Sequence, residues 1–155
     1  MTSPFLLHHL LDARAASEDQ AVVHKDRSLT YREFAAVAAR CASALQHAGL
    51  QRGDRVVIVL PRGIEECWSI FGISMACGVF VPVNALLKAQ QVRHIIRDCG
   101  AKIVISDASM MNELTAALTE LPDVTVLPAE EIAAGTAAPA RPSAAIGEDL
   151  AAILY

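Results

Sequence analysis

Apolar and polar positions change their period several times along the chain, and the changes mark out alternating helices and strands. Phe5, Leu6, Leu10 and Leu11 recur at helical spacing and predict an amphipathic helix near the N-terminus. After the polar stretch 17–20 comes an extended segment over 21–24, and Lys25-Asp26-Arg27-Ser28 reads as a turn. Thr30 followed three residues later by Glu33 forms a capping box, which satisfies amide groups that a helix start leaves bare, so a helix is predicted over 31–48. Phe34, Val37, Ala38, Cys41, Leu45 and Ala48 share one face of it, and Gly49 stands where a left-handed cap is wanted.

Beyond Gly53-Asp54 the period changes. Residues 55–60 are a continuous Val-Ile-Val-Leu run, the pattern of a strand covered on both faces, and Pro61 stops it. A helix over 64–76, a strand over 79–83, a helix over 89–98, a strand over 102–106, a helix over 108–118 and a short strand over 124–127 follow, with Gly78 ending the helix over 64–76 and Gly100 the one over 89–98. Strands alternating with helices predict an α/β class, a doubly wound parallel-type sheet flanked by helices, because parallel neighbours need crossover connections. The core is expected over 1–127, an irregular Ala/Pro-rich connector over 128–149, and a further strand over 150–155.

Composition narrows the partners. The 155 residues fit one compact domain, and a net charge of -4 gives no basic footprint for nucleic acid. Residues 1–102 carry 12 basic and 9 acidic groups, and residues 103–155 one and eight, so the acidic third reads as solvated surface. Cys41, Cys67, Cys77 and Cys99 form no C-x-x-C pair and lie in apolar stretches, which reads as buried free thiols in a reducing cytoplasm. His8, His9, His24, His47 and His94 have no metal-ligand spacing, and no metal is expected. The N-terminus lacks a basic region and cleavage-like end, so no signal peptide is predicted. The uncharged run 67–87 is long enough to suggest a membrane span, but its Ser, Gly and Pro residues favour a helix, a turn and a buried strand.

Candidate chemistry is sparse. No G-x-G-x-x-G or Walker-type loop occurs, and Gly49-x-x-x-Gly53 lies in a helix-to-strand turn, the reverse of what phosphate binding wants. Glu65 and Glu66 are adjacent on a helix and diverge, so they read as acidic groups favouring the helix start. Ser69 and Ser74 read as packing residues, and Trp68, Phe71 and Phe80 as core aromatics.

Leu29-Thr30-Tyr31-Arg32-Glu33-Phe34 resembles the Leu-Thr-Tyr-x-Glu-Leu segment of the adenylate-forming superfamily. Gly53-Asp54-Arg55-Val56 and Ala76-Cys77-Gly78-Val79-Phe80-Val81-Pro82-Val83-Asn84 resemble two further segments in the same order, although Cys77 stands where the family often has alanine and Asn84 where many members have aspartate. The steps at 97–102 and 149–155 are also similar, so the resemblance covers essentially the whole chain. Residues 80–88 look most like acyl-CoA ligases associated with exosortase systems.

The resemblance implies an AMP-forming acyl-CoA ligase. Such an enzyme uses ATP, Mg and CoA, turns a small-molecule carboxylic acid into an acyl-adenylate and passes it to a thiol. It also implies that the phosphate loop, the magnesium glutamate and the catalytic lysine lie beyond Tyr155. No catalytic, cofactor-binding or metal residue is therefore assigned, and the chain alone is expected to be inactive and to bind none of these cofactors. Two alternatives stay open: a fragment of an amino-acid-activating adenylation domain, and a free-standing α/β nucleotide-binding or interaction module that self-associates.

Overall fold

A computed structural model describes residues 6–136, 140–141 and 143–155. The first elements build one flank of the molecule. A short helix α1 (His9–Asp12) precedes a hairpin of β1 (Gln20–His24) and β2 (Arg27–Thr30), and the long helix α2 (Tyr31–His47) follows at once. The capping box at the start of α2 is closed. Thr30 Oγ1 accepts from the Glu33 amide at 3.2 Å, and Glu33 Oε2 accepts from the Thr30 amide at 2.8 Å.

Next come β3 (Arg55–Val59), α3 (Ile64–Met75), β4 (Val79–Pro82), α4 (Ala89–Cys99), β5 (Ile103–Ser106), α5 (Met111–Ala117), β6 (Thr125–Pro128) and α6 (Ala129–Ala134). The four later strands form a parallel sheet in the order β4-β3-β5-β6, with Val57 beside Val81 on one side and Val104 on the other. Side chains alternate between its faces. Val56, Ile58, Ile103 and Ile105 join the core beneath α2, α3 and α6, while Val57, Val59, Val81 and Val104 meet α4 and α5. Both faces being dry explains why these strands read as unbroken apolar runs. The run 67–87 divides between α3, a turn, β4 and the loop after it, and among the described residues no helix is long and apolar enough to cross a membrane.

Helices α2 and α3 pack at very short range. A Cβ built on Gly72 would stand 2.5 Å from Cys41 Cβ, 2.7 Å from Cys41 Sγ and 2.9 Å from the Ala38 carbonyl oxygen, so only glycine fits there. Phe34 and Phe71 extend the contact edge to face, with ring centroids 5.3 Å apart.

Several boundaries differ from the expectations. The N-terminal helix is four residues long between turns, and Phe5 lies outside the described residues. Arg27 and Ser28 belong to β2, paired with His24 and Val23; the turn is only Lys25-Asp26, made possible by a positive φ of 54° at Lys25. Cys77, at φ 65°, takes the left-handed position after α3 expected of Gly78, and the Gly78 amide reaches back to the Ile73 carbonyl at 2.9 Å. Gly78 is instead needed for packing, since a Cβ there would stand 2.9 Å from Ile73 Cγ2. The stretch expected to be irregular opens with α6, anchored by buried Ala129 and Ile132. Residues 150–155 approach β4 through a single parallel bridge, Ala152 beside Phe80.

Candidate functional site

The chain leaves β3 through α3 on one face of the sheet to reach β4, then returns through α4 on the other face to reach β5. The strand order therefore reverses beside β3, and the carboxyl ends of β3 and β5 splay into a crevice, the position where open α/β sheets bind ligands. Two cavities open at this edge. The larger, about 1010 Å³, is lined by Leu60, Pro61 and Arg62 after β3, by Pro82 at the end of β4 and residues 83–86 after it, by Asp107, Ser109 and Met110 after β5, and by Glu66, Ile70, Leu154 and Tyr155. The smaller, about 630 Å³, shares Leu60, Pro61, Arg62 and Asp107 and is closed by the hairpin turn and by Ala129, Glu130 and Ala133 of α6.

Short side chains shape the rims. Asp107 accepts from the Ser109 hydroxyl at 2.5 Å and the Met110 amide at 3.1 Å, which turns the chain into α5. Asn84 accepts from the Leu86 amide at 2.9 Å and holds Leu86 out into solvent, 89% exposed. Glu65 pairs with Arg27 at 2.8 Å in the smaller cavity, whereas Glu66 lines the larger one. The two adjacent carboxylates thus point into different cavities, as their helical spacing requires.

These groups do not make a triphosphate cradle. The strand-to-helix loop is Leu60-Pro61-Arg62-Gly63, in which Pro61 has no N–H to offer, and Glu65 and Glu66 already place negative charge on the first turn of α3. Gly49 and Gly53, with φ of 88° and 81°, shape the α2–β3 turn at the opposite edge of the sheet. Among the described residues no three His, Cys, Asp or Glu side chains stand close enough to hold a metal.

The remaining polar residues of interest have structural places. His8, buried, meets Ser74 at 2.9 Å between Nδ1 and Oγ and ties α1 to α3. Burial, reinforced by the neighbouring His9, lowers its pKa against the smaller opposing pull of Asp12. Ser69 donates to the Glu65 carbonyl at 2.7 Å within α3. Burial raises the thiols of Cys41, Cys67 and Cys99 and so opposes thiolate formation. Tyr155 donates to Asp98 at 2.5 Å, which pushes its phenol up to about 12.

Residues 11–155 match a family model described as AMP-binding enzyme. The chain belongs to that family. Among curated relatives, the long-chain-fatty-acid–CoA ligase FadD13 of Mycobacterium tuberculosis is 39% identical over 83 residues, 54% of this chain and 16% of the ligase. Malpibaldin synthetase of Mortierella alpina is 30% identical over 139 residues, 87% of this chain and 2% of the synthetase. Among solved structures, the fatty acyl CoA synthetase of Mycobacterium tuberculosis superposes with a TM-score of 0.84 at 30% identity, over 97% of this chain and 32% of its own. ATP-bound MatB from Rhodopseudomonas palustris gives 0.83 at 27% identity, again covering 97% and 32%. The chain thus corresponds to about a third of these structures and a smaller share of the curated relatives. It is an adenylate-forming ligase or adenylation-domain segment, and the parallel sheet with helices on both faces is the fold shared with those enzymes.

Proposed function

We propose that this chain is the N-terminal scaffold of an acyl-CoA ligase that activates a carboxylic acid with ATP and Mg, forms an acyl-adenylate and transfers the acyl group to CoA, and that residues 1–155 alone do not catalyse it. The observation that carries the reading is the crevice at the carboxyl edge of the sheet. It offers a large wall in which Leu60, Ile70, Val83 and Leu154 alternate with polar groups, yet its strand-to-helix loop contains Pro61 and is followed by Glu65 and Glu66, which disfavours phosphates. On this reading the sheet supplies one side of the substrate space, and the groups that stabilise phosphate charge come from elsewhere in the complete enzyme.

An amino-acid-activating adenylation domain is the second reading, favoured by the match to the synthetase of Mortierella alpina over most of this chain. Calorimetric titration of Mg-ATP into the 155-residue chain, with a pyrophosphate-release assay on the same sample, tests the scaffold reading. No heat of binding and no pyrophosphate are expected. Saturable binding or turnover would overturn it. With the complete protein, pyrophosphate release driven by fatty acids and not amino acids separates the first reading from the second.

A further inference from the structure

Residues 140–155, apart from the undescribed residue 142, do not hang free; they are fastened along the amino edge of the sheet at three successive places. Gln46 grips the backbone of Arg141 twice, accepting from its amide at 2.7 Å and donating to its carbonyl at 3.2 Å. The Cys77 sulfur, turned outward by the positive φ of that residue, accepts from the Ala144 amide at 3.1 Å and touches the Ser143 hydroxyl at 3.2 Å. Arg52 then closes a two-point ion pair on Asp149, Nε to Oδ2 at 2.8 Å and Nη2 to Oδ1 at 2.7 Å, and the same carboxylate accepts from the Ile146 amide at 3.0 Å.

After this last fastening the chain turns upward beside β4. The Phe80 amide donates to Ala151 at 3.0 Å and the Ile153 amide donates to Phe80 at 3.1 Å, and Leu154 and Tyr155 arrive at the wall of the larger cavity. Among the described residues these two backbone bonds join the segment to β4, with Ile153 packed against the core that includes Val57 and Val81 and Tyr155 bonded to Asp98. Arg52 lies before β3, at the edge opposite the cavity, and the five residue steps from Asp149 to Leu154 span roughly 16 Å when extended. A one-residue slip of a strand exchanges the faces its side chains occupy, so whatever fixes Asp149 decides which side chains reach the cavity.

We infer that Arg52 is a positioning residue: its ion pair with Asp149 is a latch that sets the register of residues 150–155 on β4, and so governs the cavity wall from the far edge of the sheet. The planar guanidinium suits this task because a two-point grip fixes direction as well as distance. The latch is a property of these 155 residues and holds whatever substrate the complete enzyme takes.

Amide hydrogen exchange by NMR on the 155-residue protein tests the latch, with Arg52→Ala and Arg52→Lys. Arg52→Ala is expected to lower protection of the Phe80 and Ile153 amides by roughly fivefold, the upper end for an exposed pair, and to leave Val57 and Val104 unchanged. Arg52→Lys, which keeps the charge and loses the fork, is expected to fall between alanine and wild type. The Tyr155 phenol should titrate nearer its ordinary value in Arg52→Ala as its contact with Asp98 loosens. Unchanged protection at Phe80 and Ile153 in Arg52→Ala, or an equal loss throughout the sheet, would overturn the inference. If Arg52→Ala does not fold, Arg52→Lys decides: a local loss at Phe80 and Ile153 supports the latch, and wild-type protection there refutes it.

Discussion

Gly72 is where α2 and α3 come closest, and adding a single carbon there measures how tightly the two helices are bound to their positions. In Gly72→Ala the new Cβ would meet Cys41 Cβ at 2.5 Å, Cys41 Sγ at 2.7 Å and the Ala38 carbonyl at 2.9 Å. Carbon atoms rest at about 3.5–4.0 Å, so the helix axes must part by roughly 1 Å or α3 must turn. The Ala38 oxygen is backbone and Cys41 Cβ is fixed to it, so neither contact is relieved by choosing another rotamer. Overpacking of this kind costs about 1–3 kcal/mol, and the strain here belongs near the upper end. Alanine's better helix propensity returns about 1 kcal/mol, leaving a net loss of about 2 kcal/mol. For a domain of this size that lowers the melting temperature by roughly 4–8 °C. Urea denaturation followed by circular dichroism reads it directly. The double variant with Cys41→Gly, which removes two of the three clashing atoms, should be more stable than the sum of the two single changes predicts, by about 1 kcal/mol. A Gly72→Ala variant at least as stable as wild type, or strictly additive effects in the double variant, would refute the close contact.

Thr30→Ala opens the capping box of α2 and should cost about 1 kcal/mol in the same urea assay, whereas Thr30→Ser should be nearly neutral. Cys77→Gly relieves a left-handed backbone that costs a side chain about 1 kcal/mol but gives up the weak sulfur contacts to Ala144 and Ser143, so a net gain of at most about 0.5 kcal/mol is expected, with a loss for the β-branched Cys77→Val. His8 titrates below its ordinary value of 6.5 in the folded protein, chiefly through burial, so the unfolded chain takes up the proton first. Its contribution is whole above about pH 6.5 and is lost as the pH falls from there through the folded pKa. The urea midpoint should therefore drop between pH 7.5 and 5.5, and His8→Gln should flatten that part of the profile. An unaltered profile in His8→Gln would assign the drop to other groups.

The order of the main helices and strands is legible because each parallel strand is a short apolar run and helices α2 to α5 keep a 3.6-residue stripe. The capping box located the start of α2 to the residue, since that signal is a direct hydrogen-bond pattern. What escaped the sequence were conformations taken by unusual residues. Lys25 and Cys77 adopt positive φ without being Gly or Asn, so β2 was hidden inside an expected turn and the end of α3 was assigned to the wrong residue. Helix α6 is six residues long and rests on Ala129 and Ile132, too little periodicity to distinguish it from an Ala-rich linker. The crevice was invisible for another reason. Its walls are loop residues such as Arg62, Asn84 and Asp107, brought together only by the reversal of strand order beside β3. The pairing of Arg52 with Asp149, 97 residues away, likewise has no local signal.

Cys41 sits at the α2–α3 contact with none of its surface exposed, and burial raises its thiol. A thiol reagent can reach that sulfur only when the two helices separate. Alkylation of Cys41, followed peptide by peptide in a mass spectrometer, is therefore a built-in clock for the opening of this half of the molecule, read at a residue the protein already carries.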